Sequence, residues 1–221
     1  MADIIVSNVS KSFGDREVLH SVSFSVRSGD FLSITGESGS GKSTLLSVMG
    51  GVLRPDAGTV TIGKEEITSL PEKKLALLRR TSIGFVYQFF NLVPTMTVRD
   101  NILLPLRLAG EKIKDHQEKL EELAEYTRLT KVLSSYPETL SGGEQQRAAI
   151  LRALIHNPEV IFLDEPTGNL DSENAKGVME LLTKLNGELG VTVVQVTHSE
   201  TGASYGNSRI SVKDGRIETC F

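Results

Sequence analysis

Phe31-Leu32-Ser33-Ile34-Thr35-Gly36-Glu37-Ser38-Gly39-Ser40-Gly41-Lys42-Ser43-Thr44 decides how the rest of the chain is read. Phe31 to Thr35 is a strand pattern that ends in glycine, and the apolar run Leu45 to Met49 reads as a helix. Between them, Gly36 to Thr44 matches G-x-x-x-x-G-K-[ST] in full, in the strand–loop–helix setting that a phosphate loop requires. Glycines allow the backbone to wrap closely around phosphates and aim N–H groups inward. The helix start adds unpaired N–H groups and the positive end of its dipole. Lys42 is expected to reach the β and γ phosphates, and the Ser43 hydroxyl to ligate Mg²⁺.

The surroundings have the rhythm of an α/β protein, with short β-branched runs alternating with helical patterns. Ile4 to Val9, Val22 to Val26, Thr59 to Ile62 and Ile83 to Tyr87 read as strands. Val160 to Leu163 and Val191 to Thr197 are apolar runs suited to strands covered on both faces. Ile210 to Lys213 and Arg216 to Glu218 flank Asp214-Gly215, a hairpin signal. From about Thr97 to Arg128 the pattern is helical and highly charged, with Ile113, Leu120, Leu123 and Ala124 on one face. This stretch reads as a helical subdomain inserted into the α/β core, its charges forming a solvated face.

The 221 residues are ample for a buried core, and 39% hydrophobic with 24% charged residues is ordinary for a globular chain. A net charge of −4 gives no basic footprint for nucleic acid. One cysteine, Cys220, excludes an intrachain disulfide framework and a cysteine-rich zinc site, so the cytosol is the default compartment. No segment reaches the roughly 18 apolar residues of a membrane span. Met1 to Val9 lacks the basic start and apolar run of a signal peptide. Any membrane role is therefore expected to come through a partner.

Val160-Ile161-Phe162-Leu163-Asp164-Glu165 is an apolar strand ending in two carboxylates. A buried strand has little use for adjacent acids unless something cationic waits at its tip. Asp164 is placed to hold Mg²⁺, and Glu165 to accept a proton from, or orient, an attacking water. The chain thus reads as a phosphate-loop nucleotide hydrolase. It lacks the N-K-x-D motif by which a GTPase reads its base.

Leu140-Ser141-Gly142-Gly143-Glu144-Gln145-Gln146-Arg147 resembles the signature motif of ABC ATPases, L-S-G-G-x-Q-x-R. Its physics is again a helix start, here running to about Ile155, which makes a second anion site. The resemblance implies a P-loop core with an N-terminal antiparallel β-subdomain and an inserted α-helical subdomain. Residues 1–90 and 158–221 would form the α/β core with its β-subdomain, and about 91–157 the helical subdomain that carries the signature. It also implies a head-to-tail homodimer, in which Ser141, Gly142 and Gly143 cover the γ-phosphate held by the partner. Within one chain, ATP would be held by Gly36, Glu37, Ser38, Gly39, Ser40, Gly41, Lys42, Ser43 and Thr44, with Phe13 stacking on adenine and Val18 lining the same face. Gln88 matches the glutamine that senses Mg²⁺ and the attacking water, and His198 the switch histidine at the γ-phosphate. Asn169 and Asp171 match the loop that crosses the dimer interface. Ser43, Gln88 and Asp164 would hold Mg²⁺. Lys42, Gln88, Glu165 and His198 would be the catalytic set. His20, His116 and His156 are read as incidental.

Beyond the motifs, Met49 to Pro55, Gly84 to Gln88, Asn91 to Pro94, Asn101 to Leu106 and Asp164 to Asp171 are similar to one bacterial branch of the family. That branch includes the lipoprotein-release, macrolide-export and antimicrobial-peptide-resistance ATPases. The resemblance implies a peripheral subunit on the cytoplasmic face of the membrane that hydrolyses ATP to drive separate permease subunits, with no nucleic-acid partner. The apolar stretch Phe89, Phe90, Leu92, Val93, Pro94 and Met96 would lie beside the groove that receives a permease helix. Leu163, Leu151 and Ser199 depart from residues common in the branch. A soluble translation or DNA-repair member of the family is the alternative. Such proteins carry two ATPase domains or a long coiled coil, and this chain has one domain and no sustained heptads.

Overall fold

The computed structural model describes residues 3–220, so Met1, Ala2 and Phe221 of the N- and C-terminal readings lie outside it. Strands β1 (Ile4–Phe13), β2 (Arg16–Val26), β4 (Ala57–Ile62) and β5 (Glu65–Glu66) form an antiparallel sheet in the order β2-β1-β4-β5. Strands β3 (Phe31–Thr35), β6 (Ile83–Val86), β7 (Val160–Asp164), β8 (Thr192–Val196), β9 (Ser208–Lys213) and β10 (Arg216–Cys220) form the second sheet, ordered β10-β9-β3-β8-β7-β6. Its pairs from β9 to β6 are parallel, and the β9–β10 hairpin is antiparallel. This is the α/β class that the alternation predicts, with the antiparallel β-subdomain at the N-terminal end.

Helix α1 (Lys42–Met49) follows β3 directly, and its Leu45, Leu46, Val48 and Met49 are buried. They join Leu32, Ile34, Phe162 and Val194 in a core between the two sheets, which also takes Ile4, Val6 and Val60 from the β-subdomain. The opposite face of the second sheet, with Ile161, Leu163 and Val193, is covered by α3 (Val98–Ala109), α4 (Gln117–Tyr126), α5 (Gly142–Leu154) and α6 (Ser172–Leu189). The helices of the middle region therefore share one continuous core with the sheet. The central strands carry apolar side chains on both faces because both faces are covered. Leu151 and Leu163, the departures noted in the sequence, are fully buried in this core.

The helical reading of 97–128 resolves into two helices rather than one run. Gly110 ends α3 in the left-handed region at φ 77°, and a 3₁₀ turn at Ile113–His116 precedes α4. Leu120, Leu123 and Ala124 are buried as expected, with Ile113 partly buried against them. One charge is not on a solvated face. Lys119 turns inward, and its Nζ donates to the carbonyls of Leu154 (3.1 Å) and Ile155 (2.7 Å) at the end of α5. Burial lowers its pKa to about 8. It caps orphan carbonyls that a helix end would otherwise bury unpaired.

Two helices carry no expectation from the sequence, α2 (Glu72–Thr81) and the long α6. A third, α7 (Glu200–Ala203), is a single turn started by the Ser199 side chain, which accepts from the Gly202 N–H at 3.0 Å.

Candidate nucleotide-binding site

The loop between β3 and α1 is shaped by glycine. Gly36 lies at φ +147°, and a Cβ there would stand 2.1 Å from the Val212 carbonyl oxygen. Gly41, the residue before α1, lies at φ +102° and supplies no side-chain cap, and the first turn of α1 has no acid. The start of α1 thus keeps its N–H groups and dipole free for an anion. Lys42 is buried, and its Nζ donates to the loop's own carbonyls at Gly36 (2.8 Å) and Glu37 (2.7 Å). Burial lowers its pKa, opposed by the charges of Glu165 and Asp164.

The strand end at β7 faces this loop. Ser43 Oγ donates to Asp164 Oδ1 at 2.9 Å. Burial raises the Asp164 pKa, the Ser43 hydrogen bond opposes it, and the Glu165 charge adds to it. Glu165 leaves the strand with φ +48°, a backbone setting that a non-glycine residue takes at a cost. Its Oε2 lies 3.0 Å from His198 Nδ1 and accepts the His198 backbone N–H at 3.3 Å. The His198 ring is about two-thirds exposed, so this pair borders open space.

A cavity of about 500 Å³ runs across these groups. It is lined by Phe13 and Val18 of the β1–β2 hairpin, by Ser38, Gly39 and Gly41 to Thr44, and by Gln88, Glu165 and His198. Phe13 is half exposed, its ring presented outward with Lys11 Nζ 5.7 Å from its centre. Arg16 also lines the cavity. The sequence reading passed over it, because a lone arginine in a turn region carries no motif; only the hairpin's position brings it to the site.

Gln88 follows β6 and meets the loop after β7: Asn169 Nδ2 donates to the Gln88 carbonyl at 2.8 Å. Two and three residues on, Phe90 and Asn91 are left-handed (φ 59° and 50°), and Arg152 of α5 binds both their carbonyls at 2.8 and 2.5 Å. Gln146 of α5 binds the Pro166 carbonyl at 2.6 Å. Helix α5 is therefore tied to the segments following both Gln88 and Glu165.

Ser141, Gly142 and Gly143 do not line the cavity. They open α5 elsewhere on the chain, where Ser141 and Glu144 form a reciprocal capping box. Asp171 caps α6, accepting from the Asn174 N–H at 2.9 Å. Of the apolar stretch after Gln88, Phe89 is 73% exposed, whereas Phe90 and Leu92 pack against the core. His156 binds the Ile83 carbonyl through Nε2 at 3.1 Å, and His20 pairs with Glu17 at 3.0 Å, both away from the cavity.

The donor set suits a hard cation. A hydroxyl, a carboxylate and an amide oxygen are ligands of the kind Mg²⁺ takes beside phosphates, and it needs few from protein. Ser43 and Asp164 already touch, so a cation between them would replace an existing hydrogen bond.

The family model described as ABC transporter matches residues 19–168, more than half of the chain. The bacitracin export ATP-binding protein BceA of Halalkalibacterium halodurans is 42% identical over 99% of this chain and 88% of its own. The lipoprotein-releasing system ATP-binding protein LolD of Aquifex aeolicus is 43% identical over 98% of this chain and 97% of its own. Among solved structures, the ATP-binding cassette MJ0796, a dimer in a post-hydrolysis state with ADP and phosphate, superposes with a TM-score of 0.89. It is 38% identical, and the match covers 99% of this chain and 97% of that one. With the phosphate loop, the acidic strand end and the signature helix all in place, the chain belongs to the ABC transporter family, as an ATP-binding and ATP-hydrolysing subunit.

Proposed function

We propose that this subunit forms an ATP-sandwich homodimer that drives separate membrane permease subunits from the cytoplasmic face of the membrane. The observation that carries this reading is the meeting of Lys42, Gln88, Glu165 and His198 in one cavity, while Ser141 to Gly143 open α5 outside it. A second anion-seeking helix start remote from the chain's own phosphate loop fits a nucleotide presented by another copy. No helix among the described residues is long and apolar enough to cross a membrane, which fits a peripheral subunit.

In this reading Phe13 stacks on adenine, with Val18 beside it. Gly36 to Ser40 and the start of α1 surround the phosphates. The Lys42 ammonium leaves the Gly36 and Glu37 carbonyls for the β and γ phosphates. Ser43, Asp164 and Gln88 hold Mg²⁺, which would neutralise phosphate charge. Glu165 accepts the proton of the attacking water, and His198, hydrogen-bonded to Glu165, contacts the γ-phosphate. Asn169 and Asp171 lie at the dimer interface. The exposed Phe89 marks the permease-facing groove. Residues 1–90 with 158–221, and 91–157, act as the two lobes of one ATP-binding domain.

Replacing Lys42 with Ala tests the nucleotide site. ATP binding should weaken by about tenfold or more and turnover should vanish, because a charge-assisted phosphate contact is lost. Nucleotide titration and phosphate release report the two effects, and unchanged values would remove this loop from the site. Co-purification with an integral membrane protein tests the partner; stable association with ribosomes or DNA instead would contradict it.

A further inference from the structure

The first turn of α5 holds its own anion. Ser141 Oγ donates to Glu144 Oε2 at 2.7 Å, and the Ser141 backbone N–H donates to the same oxygen at 2.9 Å. In return the Glu144 N–H approaches Ser141 Oγ at 3.4 Å. The contrast with α1 is chemical. The start of α1 has neither a side-chain cap nor an acid, whereas that of α5 has both.

A serine has one O–H to give. While that proton points at Glu144, the hydroxyl can only accept, and a phosphate is itself an acceptor. The carboxylate also places a negative charge within one turn of where another would arrive. The two hydrogen bonds from Ser141 hold the Glu144 carboxyl below the usual glutamate range, so it stays ionised at neutral pH. Arg147, one turn on, is the nearby cation on the same helix. From other elements, Asn174 of α6 and Leu170 come closest to Gly143 and Gly142, and neither is charged.

We propose that Glu144 is a positioning residue that latches the Ser141 hydroxyl, so that a partner-bound γ-phosphate engages Ser141 only after this O–H turns away from the carboxylate. The proposal rests on the sandwich reading above. The latch sets how much ATP is needed to close the dimer, without touching the nucleotide of its own chain. Glutamine is the informative replacement. Its carbonyl oxygen can still accept the Ser141 N–H, and its NH₂ can donate to Ser141 Oγ. The cap survives, and the serine proton is released for phosphate.

The test is ATP-driven dimerisation of the Glu165→Gln protein, with and without a second change, Glu144→Gln or Glu144→Ala. Light scattering reads the ATP midpoint, and thermal unfolding without nucleotide reads the cap. Glu144→Gln should lower the ATP midpoint roughly fivefold, the difference between a charge-assisted and a neutral hydrogen bond, with an unchanged unfolding temperature. Glu144→Ala should lower the unfolding temperature, because the cap is lost. An ATP midpoint in Glu144→Gln equal to or above that of the parent overturns the latch while leaving the sandwich standing. A parent protein that never dimerises with ATP, alone or with its membrane partner, overturns both.

Discussion

Glu165 concentrates several effects in one residue. It sits past the end of a strand buried up to Leu163, its backbone is left-handed, and its carboxylate faces His198 at 3.0 Å. The adjacent acids Asp164 and Glu165 have separate partners, Ser43 for the first and His198 for the second. The sequence showed that the pair needs partners, because adjacent acids at an apolar strand end are costly without them, but the two partners themselves come from the structure. Glu165→Gln should keep ATP binding and slow hydrolysis by about 10²–10⁴-fold, because the amide retains the shape and cannot accept a proton. Single-turnover phosphate release measures this, and near-normal release would remove Glu165 from the role. Asp171 shows what a motif reading hides. The sequence marks it only as a match to a loop expected at a dimer interface, whereas the structure shows it as the residue that caps α6.

At the scale of elements, the loop after Gln88 is held by Asn101, a residue that the sequence offers only as part of a branch-like segment and not as a structural tie. Asn101 is fully buried in α3. Its Nδ2 donates to the carbonyls of Val93 (3.0 Å), Met96 (3.2 Å) and Thr97 (3.0 Å), and its Oδ1 accepts the Val93 N–H at 2.6 Å. Asn101→Ala takes this partner from the Val93 N–H and the Met96 carbonyl, while the Val93 and Thr97 carbonyls keep the backbone N–H groups of Met96 and Asn101, and it should cost roughly 2–4 kcal/mol, read as a shift in the denaturant midpoint. A change below 0.5 kcal/mol, the scale of ordinary surface substitutions, would mean that water replaces the side chain. The same helix has an acid-sensitive start. Thr97 Oγ1 donates to Asp100 Oδ2 at 2.8 Å, and Arg107 pairs with Asp100 Oδ1 at 2.5 Å. These bonds lower the Asp100 pKa below its ordinary 3.8, the Thr97 hydrogen bond foremost. A depressed carboxylate contributes stability that is full above 3.8 and is lost as pH falls through the lower folded value. Asp100→Asn should therefore lose stability at neutral pH and flatten the acid limb of the stability curve. An acid limb identical to that of the parent would assign the sensitivity to other groups. Helix α2 escaped the sequence reading for a related reason. It is a short, highly charged helix that buries Leu75, packs Leu78 against the core and exposes Leu77, and no motif in it draws a reading.

Over the whole molecule, the central strands β3, β7 and β8 were legible because both faces of the second sheet are covered, which writes continuous apolar runs into the sequence. Strands β1 and β2, by contrast, extend to Phe13 and back to Arg16, beyond the Ile4 to Val9 and Val22 to Val26 runs, and β5 carries no such run. Most of the cavity lining was legible as a set of residues, because Gly39, Gly41 to Thr44, Gln88, Glu165 and His198 stand in motifs whose residue types phosphate chemistry would fix. Connections made by fold geometry alone were not: the hairpin that brings Arg16 to the cavity, and the ties from Arg152 and Gln146 that join α5 to the segments after Gln88 and Glu165. Through those ties the start of α5, at Ser141, is connected by one helix to the segments that follow Gln88 and Glu165. In the proposed sandwich, closure of two copies around ATP would then be felt at Glu165 and His198 in each. Ser141→Arg should block that closure while leaving ATP binding by the single chain nearly intact, which equilibrium binding to the monomer can check. The most direct measurement is the mass of the Glu165→Gln protein by size-exclusion chromatography with light scattering, without nucleotide, with ADP and with ATP, each with Mg²⁺. The account predicts a monomer in the first two conditions and a dimer with ATP, because a ligand bound better by the dimer must shift the equilibrium towards it. A protein that stays monomeric at saturating ATP, both alone and when assembled with its membrane partner, would contradict it.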